Sequence, residues 1–347
     1  MVLFRRHSLR MVTAENLFFL ALGSLLLISA FIDILWTTLW ANAGAGPLST
    51  RLISGAWHGL RMLGDRQSRL LNLAGPIILT LTLTMWVALI WGGWTFVFAG
   101  GENALADTRD VGPISWAERT YFVAYSMFTM GNGDFTPTDG IWQIATSLTT
   151  ASGMLFVSLG ISYVISVLGA VVEKRSFAST VTGIETQSEA FVRDGWNGED
   201  FNELDLPLDT LASDLGRLAK QHKAYPILHY YHSDEADDAA ARAVAIFDDA
   251  LTTLRFGVPE THRPNTPLLN TARSSAQDYL QTLNSIGIQP AEDTPPPPEL
   301  DRLREADVPT VSEEEFARAL DDLSERRRKL LGGVTADAWN WPSENNE

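Results

Sequence analysis

Long apolar runs are the first pattern along this chain, and three of them are long enough to cross a membrane. They cover residues 17–40, 70–100 and 141–172. The first run contains a single charge, Asp33, and the other two contain none. Because about 20 apolar residues form a helix that crosses about 30 Å of hydrocarbon, each run predicts a transmembrane helix.

The first run has a second interpretation, which is a cleaved signal peptide. Arginines precede it, and the sequence ANAG at residues 41–44 resembles a cleavage site. The apolar part of a signal peptide is usually about 7–15 residues long, which is shorter than residues 17–40. We therefore expect a retained helix. Asp33, in its last third, is expected either to reach the membrane interface or to contact an arginine of residues 41–69.

Aromatic and basic residues indicate how these runs would lie in a bilayer. Trp86, Trp91 and Trp94 fall toward the end of the second run, where an interfacial aromatic belt is expected. Residues 41–69 contain four arginines, so the positive-inside rule places this stretch and the C-terminal half in the cytoplasm. The same rule leaves a basic N-terminal tail on the outside, a conflict that disappears if the first run only dips into the membrane.

The segment between the second and third runs contains a short helix pattern that ends in glycines. Residues 115–128 have no Gly or Pro, and Ser115 with Glu118 matches a capping box. About 14 residues are too few to span a bilayer, so we expect a re-entrant helix. The backbone that follows, residues 129–133, must then be covered by protein or line water. Its alternating glycines allow positive φ at every second residue, which lets successive carbonyls point to one side.

The sequence TMGNGDFTP, residues 129–137, resembles the selectivity-filter signature of the potassium-channel superfamily, Thr-Val-Gly-Tyr-Gly-Asp with a proline three residues later. A further glycine, Gly153, lies 24 residues after the filter threonine, where inner helices of the superfamily commonly carry a flexible glycine. The resemblance extends over roughly residues 70–175. The positions that match the signature are Thr129, Gly131, Gly133, Asp134 and Pro137.

The resemblance implies a prokaryotic-type channel with a two-helix pore-loop module and Gly153 as a gating hinge. Each chain supplies one filter strand, so a homotetramer is implied. No cofactor and no metal are expected beyond conducted K⁺, or Na⁺, in the filter. The implied ion-binding filter comprises Thr129, Met130, Gly131, Asn132, Gly133 and Asp134. The implied filter support, from the short helix, comprises Tyr121, Phe122 and Tyr125.

Two filter positions depart from the pattern. Met130 replaces Val or Ile, which leaves its carbonyl available to the ion. Asn132 replaces the usual aromatic residue, and it is expected either to hydrogen-bond a tyrosine hydroxyl or to leave a water-filled gap. Potassium-selective conduction and weakly selective monovalent cation conduction therefore both stay open, beside a non-conducting receptor or scaffold. A single-chain transporter is a weaker alternative, because such chains usually carry four pore repeats and this one has one.

The third run carries small and polar residues for which there are two interpretations. Gly153 and Gly160 are expected either to bend the helix or to permit close helix packing. The candidates to line a cavity or the hinge are Thr149, Thr150, Gly153, Met154 and Val157.

Charge divides the chain into two halves. Residues 1–173 hold 9 Arg and no Lys against 10 acidic residues, whereas residues 174–347 hold 17 Lys and Arg against 32 acidic residues. The first half is typical of a membrane-embedded protein and the second of a soluble one. The acidic balance argues against a nucleic-acid partner, and the absence of cysteine excludes disulfides, thiolate metal sites and Cys nucleophiles.

The second half predicts helices. It shows no strand–helix alternation and no Gly-x-Gly-x-x-Gly, so a Rossmann-type gating domain is not indicated. No nucleophile–base pair stands out, so no enzyme is expected. The sequence AEDTPPPPELD, residues 291–301, predicts a stiff linker. Ser312 with Glu315 is a second capping box, and Gly332 is expected to end that helix. Leucines at helical spacing are Leu208, Leu211, Leu215 and Leu218.

A histidine-rich stretch, residues 221–235, is the sharpest local feature of this half. His222, His229 and His232 lie 7 and 3 residues apart, which is helical spacing. The spacing permits a metal or proton sensor, and the neighbouring Leu and Tyr residues indicate an ordinary packed helix.

Together these patterns predict an all-α membrane protein: a two-helix pore-loop module, an extra N-terminal transmembrane helix and a helical cytoplasmic domain. Its partners are other copies of the chain, the lipid bilayer and an unknown cytoplasmic regulator. It is expected to be multi-pass in the plasma or inner membrane. The expected segments are residues 1–69 (first helix and basic linker), 70–174 (pore domain), 175–290 (helical domain) and 291–347 (Pro-rich linker, short helix and disordered tail).

Overall fold

The chain forms two compact units, which we call the membrane unit and the helical unit. The computed structural model describes residues 14–40, 44–63, 72–109 and 112–342. The basic N-terminal tail and most of the sequence ANAG lie outside these ranges. The membrane unit takes its described residues from 14–39, 46–49 and 80–163, and the helical unit takes 40, 44–45, 50–79 and 164–342.

The three predicted transmembrane helices are confirmed. They are α1 (Ala14–Leu39), α3 (Ala74–Ala99) and α5 (Ile141–Ile184), each long and apolar enough to cross a membrane. Helix α2 (Pro47–Leu63) lies between the first two in the chain. At 1.5 Å per residue, α5 is about 66 Å long, roughly twice the thickness of the hydrocarbon core, so only part of it can lie there.

Helices α1 and α3 approach each other closely because glycines face each other. A Cβ atom on Gly23 would lie 2.6 Å from the Gly93 carbonyl oxygen. A Cβ on Gly93 would in turn lie 2.8 Å from the Cγ of Leu27. Small residues at such crossings let two backbones make van der Waals contact, which is the main source of helix association in lipid. This contact attaches the extra N-terminal helix to α3.

Asp33 is fully buried and binds the amino-terminal end of α2. Its Oδ1 accepts hydrogen bonds from the backbone N–H groups of Leu48 (2.7 Å) and Ser49 (3.1 Å). Its Oδ2 accepts from the indole N–H of Trp86 at 2.8 Å. The first N–H groups of a helix lack intrahelical partners and carry positive partial charge, which suits a carboxylate.

The first expectation for Asp33, a side chain at the membrane interface, does not describe this arrangement. The side chain lies inside the protein instead of reaching the interface, and none of the described arginine side chains contacts it. Arg66, Arg69 and the side chain of Arg61 lie outside what the structure describes, so a contact with one of them stays a prediction. The tryptophans also differ from the expected interfacial belt, since Trp86 and Trp94 are buried.

The segment between α3 and α5 folds back on itself. Strand β1 (Leu105–Asp107) pairs antiparallel with β2 (Phe135–Pro137), with Ala106 opposite Thr136. Helix α4 (Trp116–Met127) lies between the two strands in the chain. The ladder therefore brings the start and the end of the segment together, on either side of the short helix.

Helices build the second unit, in agreement with the sequence pattern. The carboxyl-terminal part of α5 packs there with short 3₁₀ turns and further helices. These helices are α6 (Ser188–Asp194), α7 (Asp205–Ala224), α8 (Ala240–Thr252), α9 (Thr266–Ser285), α10 (Leu300–Arg304), α11 (Glu313–Asp322) and α12 (Ser324–Ala336). The periodic leucines of α7 are buried in the core of this unit.

The residues after the Pro-rich stretch belong to the same hydrophobic core as those before it. Leu300, Phe316 and Leu330 are buried in one cluster with α7 and α8. The prolines pack against the unit, because the carbonyls of Pro295 and Pro296 accept hydrogen bonds from the buried Arg327. The stretch is thus not a spacer between separate bodies. The exact domain bounds remain predictions.

The expected end of the last helix at Gly332 is wrong. Helix α12 continues through Gly332 to Ala336. A Cβ at this position would lie 2.2 Å from the Gln289 carbonyl oxygen, so the glycine permits a close backbone contact. The short expected helix is in fact two, because α11 ends at Asp322 and α12 begins at Ser324.

Candidate ion-binding site

Helix α4 begins with the predicted capping box. The backbone N–H of Ser115 donates to Glu118 Oε2 at 2.7 Å, and the backbone N–H of Glu118 donates to Ser115 Oγ at 3.3 Å. The hydrogen bonds from the Ser115 backbone and hydroxyl lower the pKa of Glu118. The box fixes where α4 starts, and the length of α4 then fixes where the following glycines lie.

Beyond α4, every second residue has positive φ. The values are 59° at Thr129, 59° at Gly131 and 81° at Gly133. This is the alternation predicted from the glycine spacing, extended to one residue that is not glycine. A non-glycine residue with positive φ is uncommon, and such conformations concentrate at functional sites. The alternation is the geometry that lets successive carbonyls share one direction.

The backbone of residues 129–133 is exposed in the single chain. Its first turn is anchored, because the N–H of Met130 donates to the Tyr125 carbonyl at 2.8 Å. The Met130 side chain is 61% exposed. An irregular, exposed backbone of this kind cannot face hydrocarbon, since lipid offers no hydrogen-bond partners.

Tyrosines of α4 hold the side of this segment. The hydroxyl of Tyr121 accepts a hydrogen bond from the Asn132 side-chain amide and donates to Asp134 Oδ2 at 3.3 Å. Of the two expectations for Asn132, the hydrogen bond to a tyrosine is the one that the geometry contains.

The second tyrosine, Tyr125, fixes the exit from the segment. Its hydroxyl donates to the Phe135 carbonyl at 2.5 Å and accepts from the Phe135 N–H at 3.3 Å. The third expected support residue, Phe122, is buried and packs edge-on against Phe98, with ring centroids 5.0 Å apart. It therefore positions α4 against α3, one layer behind the segment.

Comparison with known proteins gives the family. A family model described as "Ion channel" matches residues 81–170, which include α4, the positive-φ segment and much of α5. The Bacillus subtilis (strain 168) protein "Uncharacterized membrane protein YdjJ" is 42% identical over 320 residues, covering 92% of this chain and 94% of that protein. No solved structure matches the chain.

The chain belongs to the pore-loop ion-channel family. This is a family of channels, not of enzymes, and its members are membrane proteins. The all-α fold class with an N-terminal extra helix is confirmed for the described residues. The roles of single residues in the filter are not decided by the comparison and remain predictions.

In this channel, Gly153 lies against the carboxyl-terminal end of α4. A Cβ atom there would lie 2.0 Å from the Met127 carbonyl oxygen. Nearby, the Thr150 hydroxyl donates to the Ser126 carbonyl at 3.0 Å. Both contacts join α5 to the last turn of α4, as the close-packing interpretation of Gly153 expects. A hinge at Gly153 stays a prediction.

The candidate cavity residues divide into two groups. Thr149 is buried within the chain, and its hydroxyl donates to the Ala145 carbonyl at 2.8 Å. Met154 and Val157 are 59% and 40% exposed on the surface of α5. Met154 and Val157 are therefore on the face of α5 that is available to another copy or to a cavity.

Sequence reasoning missed three side chains that tie α3 and the β1 end to the site. The indole of Trp91 donates to the Thr120 carbonyl at 2.9 Å, and that of Trp94 donates to Ser152 Oγ at 3.0 Å. The Thr108 hydroxyl donates to the Asp134 carbonyl at 2.8 Å. The spacing of the tryptophans on α3 was a signal, because residues three apart share a helix face.

The histidine-rich stretch does not form one helical face. Helix α7 ends at Ala224, and Pro226 starts a separate 3₁₀ turn, Pro226–Tyr230. His222 packs edge-on against Tyr279, with ring centroids 5.6 Å apart, and His232 lies 3.5 Å from an Asp337 oxygen. The described residues contain no group of His, Asp and Glu arranged to hold a metal.

Proposed function

We propose that four copies of this channel form one pore that conducts K⁺ passively across the membrane. The observation that carries the proposal is the exposed segment 129–133 with its alternating positive φ. Carbonyls aligned by such a backbone can replace the water shell of a cation, and several rings of them in sequence favour K⁺. The ion-binding residues are then those of 129–134, with Asp134 at the outer mouth.

The single chain supplies the argument for a ring. An exposed irregular backbone must be covered or lie against water at membrane depth, and one strand alone cannot enclose an ion. Closed rotational symmetry satisfies both conditions at once, since each copy presents the same strand to a common axis. The carboxyl-terminal end of each α4 adds negative potential near the axis.

The orientation and the gate follow from the same proposal. The arginines of residues 41–69 favour the cytoplasm, so the acidic helical unit is cytoplasmic. Helix α5 continues from the membrane unit into the helical unit, so a change in the latter reaches the pore by a continuous helix. Bending near Gly153 is the proposed gating movement.

A weakly selective monovalent cation channel is the second candidate, and one contact favours it. Asn132 occupies the position of an aromatic residue and reaches the Tyr121 hydroxyl by a hydrogen bond. A hydrogen-bonded amide fills less volume than an aromatic ring packed on its neighbours. The outer filter would then be wider, and Na⁺ would pass as well as K⁺.

Ion flux through the purified chain in liposomes tests both candidates. With K⁺ on one side and Na⁺ on the other, a selective pore gives a reversal potential far from zero, and a weakly selective pore gives one near zero. Asn132→Tyr should move the potential toward K⁺ selectivity if Asn132 widens the filter.

Gly133→Ala is the control for the assignment of the filter. Gly133 has φ of 81°, which alanine adopts only with strain, although a Cβ there would meet no atom within 4 Å of the single chain. Flux that survives this change unaltered would refute the filter. A wild-type chain that is folded, is inserted and passes no ion would favour the receptor or scaffold alternative.

A further inference from the structure

A groove in the helical unit combines an apolar wall with a cationic edge. It has a volume of about 520 Å³ and lies between the carboxyl-terminal part of α5 and the end of α7. The wall is formed by Ile165, Gly169 and Ala170 of α5, and Ser166 and Glu173 of the same helix also line the groove. The edge is formed by Arg217, Lys220 and Lys223 of α7.

The cationic edge is a local cluster in a half of the chain that is acidic on balance. Residues 174–347 carry nearly twice as many acidic as basic residues, yet three cations fall within seven residues of α7. Their spacing of three places neighbours on one side of the helix.

Partners on the protein neutralise these cations only in part. Arg217 lies 3.8 Å from Glu173 and 3.6 Å from Asp214, and Lys220 lies 2.8 Å from Asp278. Lys223 is exposed and has no ion-pair partner among the described residues. Exposed pairs such as these are weak, so they yield readily to a second anion.

The position along α5 indicates what fills the groove. Residues 165–173 lie about 36–48 Å from the start of α5, at 1.5 Å per residue. A bilayer with its headgroups is about 40–45 Å thick, so a helix that enters at Ile141 reaches the second headgroup layer at these residues. Ile165, the first residue of the wall, is then level with the acyl carbons next to the headgroups, and the lysines are level with phosphates.

We propose that this groove binds an anionic phospholipid, with an acyl chain on the wall and the phosphate on Lys220 and Lys223. Free anions lack the apolar part, and zwitterionic lipids lack the net charge that meets the cations. Because the wall is α5 itself, a bound lipid contacts the helix that joins the two units. The inference concerns binding, so it does not depend on whether the pore conducts.

Native mass spectrometry of the full chain, delipidated and then exposed to equimolar phosphatidylglycerol and phosphatidylcholine, tests the proposal. The wild type should retain phosphatidylglycerol in preference. One lysine beside an anionic headgroup is worth about five-fold in affinity, so Lys220→Gln with Lys223→Gln should weaken phosphatidylglycerol about 30-fold. Phosphatidylcholine retention should not change.

Two further variants separate the groove from general charge effects. Lys329→Gln removes a partly exposed lysine of α12 that pairs with Glu325 at 2.6 Å, outside the groove, and should leave lipid retention unaltered. Gly169→Phe adds a ring where a Cβ meets no atom within 4 Å, so it should fill the wall and displace the lipid with every charge in place.

Two results would overturn the proposal. One is equal loss of phosphatidylglycerol in Lys329→Gln and in the groove variant, which would indicate unspecific attraction. The other is displacement of the lipid by inorganic phosphate together with full retention in Gly169→Phe, which would make the groove a plain anion site. Circular dichroism of each variant checks that the helices are intact.

Discussion

The two units of the channel bury carboxylates in opposite ways. In the membrane unit, the described groups that bind Asp33 are uncharged donors: backbone N–H groups at a helix end, the Ser49 hydroxyl and an indole. In the helical unit, Asp248 and Asp249 of α8 bind Arg326 and Arg327 of α12. Arg327 is itself buried, and it also donates hydrogen bonds to the carbonyls of Pro295 and Pro296.

The difference teaches how each unit avoids an isolated charge. An arginine beside Asp33 would require a second ion to be taken out of water within a transmembrane helix, which is costly. Oriented peptide dipoles stabilise the carboxylate at the start of α2. The helical unit has water nearby while it folds, so two-point arginine–carboxylate pairs can form and then be buried. Such pairs are destabilising to break, because one charge is left alone.

The largest effect is expected for Arg327→Met. This change leaves Asp249 buried without its partner and removes the donor to two proline carbonyls. The free energy of unfolding should fall by about 3–5 kcal/mol, measured by chemical denaturation of the purified chain.

Two variants check the reason for that loss. Lys329→Met removes a partly exposed lysine two residues after Arg327 in α12 and should cost less than about 1 kcal/mol. Adding Asp249→Leu to Arg327→Met should recover much of the stability, because no lone charge then stays buried. A double variant as unstable as the single one would contradict the ion-pair account.

A smaller effect is expected for Asp33→Leu. The change leaves donors of Leu48, Ser49 and Trp86 without an acceptor, and each unpaired buried donor costs about 1–3 kcal/mol. We expect a loss of about 2–4 kcal/mol in thermal unfolding of the protein in detergent.

Asp33→Asn is the matched control for that loss. Its amide oxygen still accepts hydrogen bonds but has no charge, so about half of the stability should return. If the Asp33→Asn protein is as stable as the wild type, the interaction of the charge with the dipole of α2 contributes nothing. The two units would then differ only in the number of hydrogen bonds to their buried carboxylates.

Gly153→Ala is expected to cost about 1–3 kcal/mol by overpacking, since its Cβ would lie 2.0 Å from the Met127 carbonyl oxygen. Gly160→Ala is the matched control on the same helix, where the nearest atom to a Cβ is 3.7 Å away. Alanine favours a helix by about 1 kcal/mol over glycine, so Gly160→Ala should be neutral or stabilising. A stabilising Gly153→Ala would favour the hinge instead of the packing contact.

A pH dependence in the helical unit is an effect that is small at neutral pH and grows as the pH falls. Burial lowers the pKa of His222 to about 3, with the charge of Lys174 adding to the shift. In the unfolded chain, His222 therefore becomes protonated near pH 6.5, whereas in the folded chain it becomes protonated only near pH 3. Stability is fully present above the unfolded pKa and falls as the pH drops through this window, by up to about 1.4 kcal/mol per pH unit.

His222→Phe should flatten that part of the stability profile. Phenylalanine cannot titrate and keeps a ring to pack against Tyr279. Denaturation midpoints measured between pH 7 and pH 5 compare the two proteins. An unchanged slope in the variant would assign the pH dependence to groups other than His222.

Local patterns allowed the sequence to predict much of the membrane unit. The transmembrane helices follow from uncharged length, and the start of α4 follows from Ser115 and Glu118, three residues apart. The positive φ at Gly131 and Gly133 follows from the glycine spacing. Each of these features depends on residues within one or two turns of each other, so both partners lie in the same short stretch of sequence.

Contacts between distant residues could not be predicted in the same way. Trp86 is 53 residues from Asp33, and Arg327 is 78 residues from Asp249, so only the folded chain brings the partners together. Gly332 shows the same limit for glycine. Its sequence context is typical of a helix end, and only the neighbouring Gln289 carbonyl explains why a glycine lies inside a helix.

The position of Asp33 has a consequence for the order in which the channel is made. Its donors at Leu48 and Ser49 follow it by 15 and 16 residues, whereas the indole of Trp86 follows by 53. During synthesis, the first two can reach the carboxylate before α3 has left the ribosome. Asp33 of α1 therefore binds the start of α2 early, while the chain is still entering the bilayer. The hydrogen bond from Trp86 then joins α3 to α1 and α2, which are already in contact.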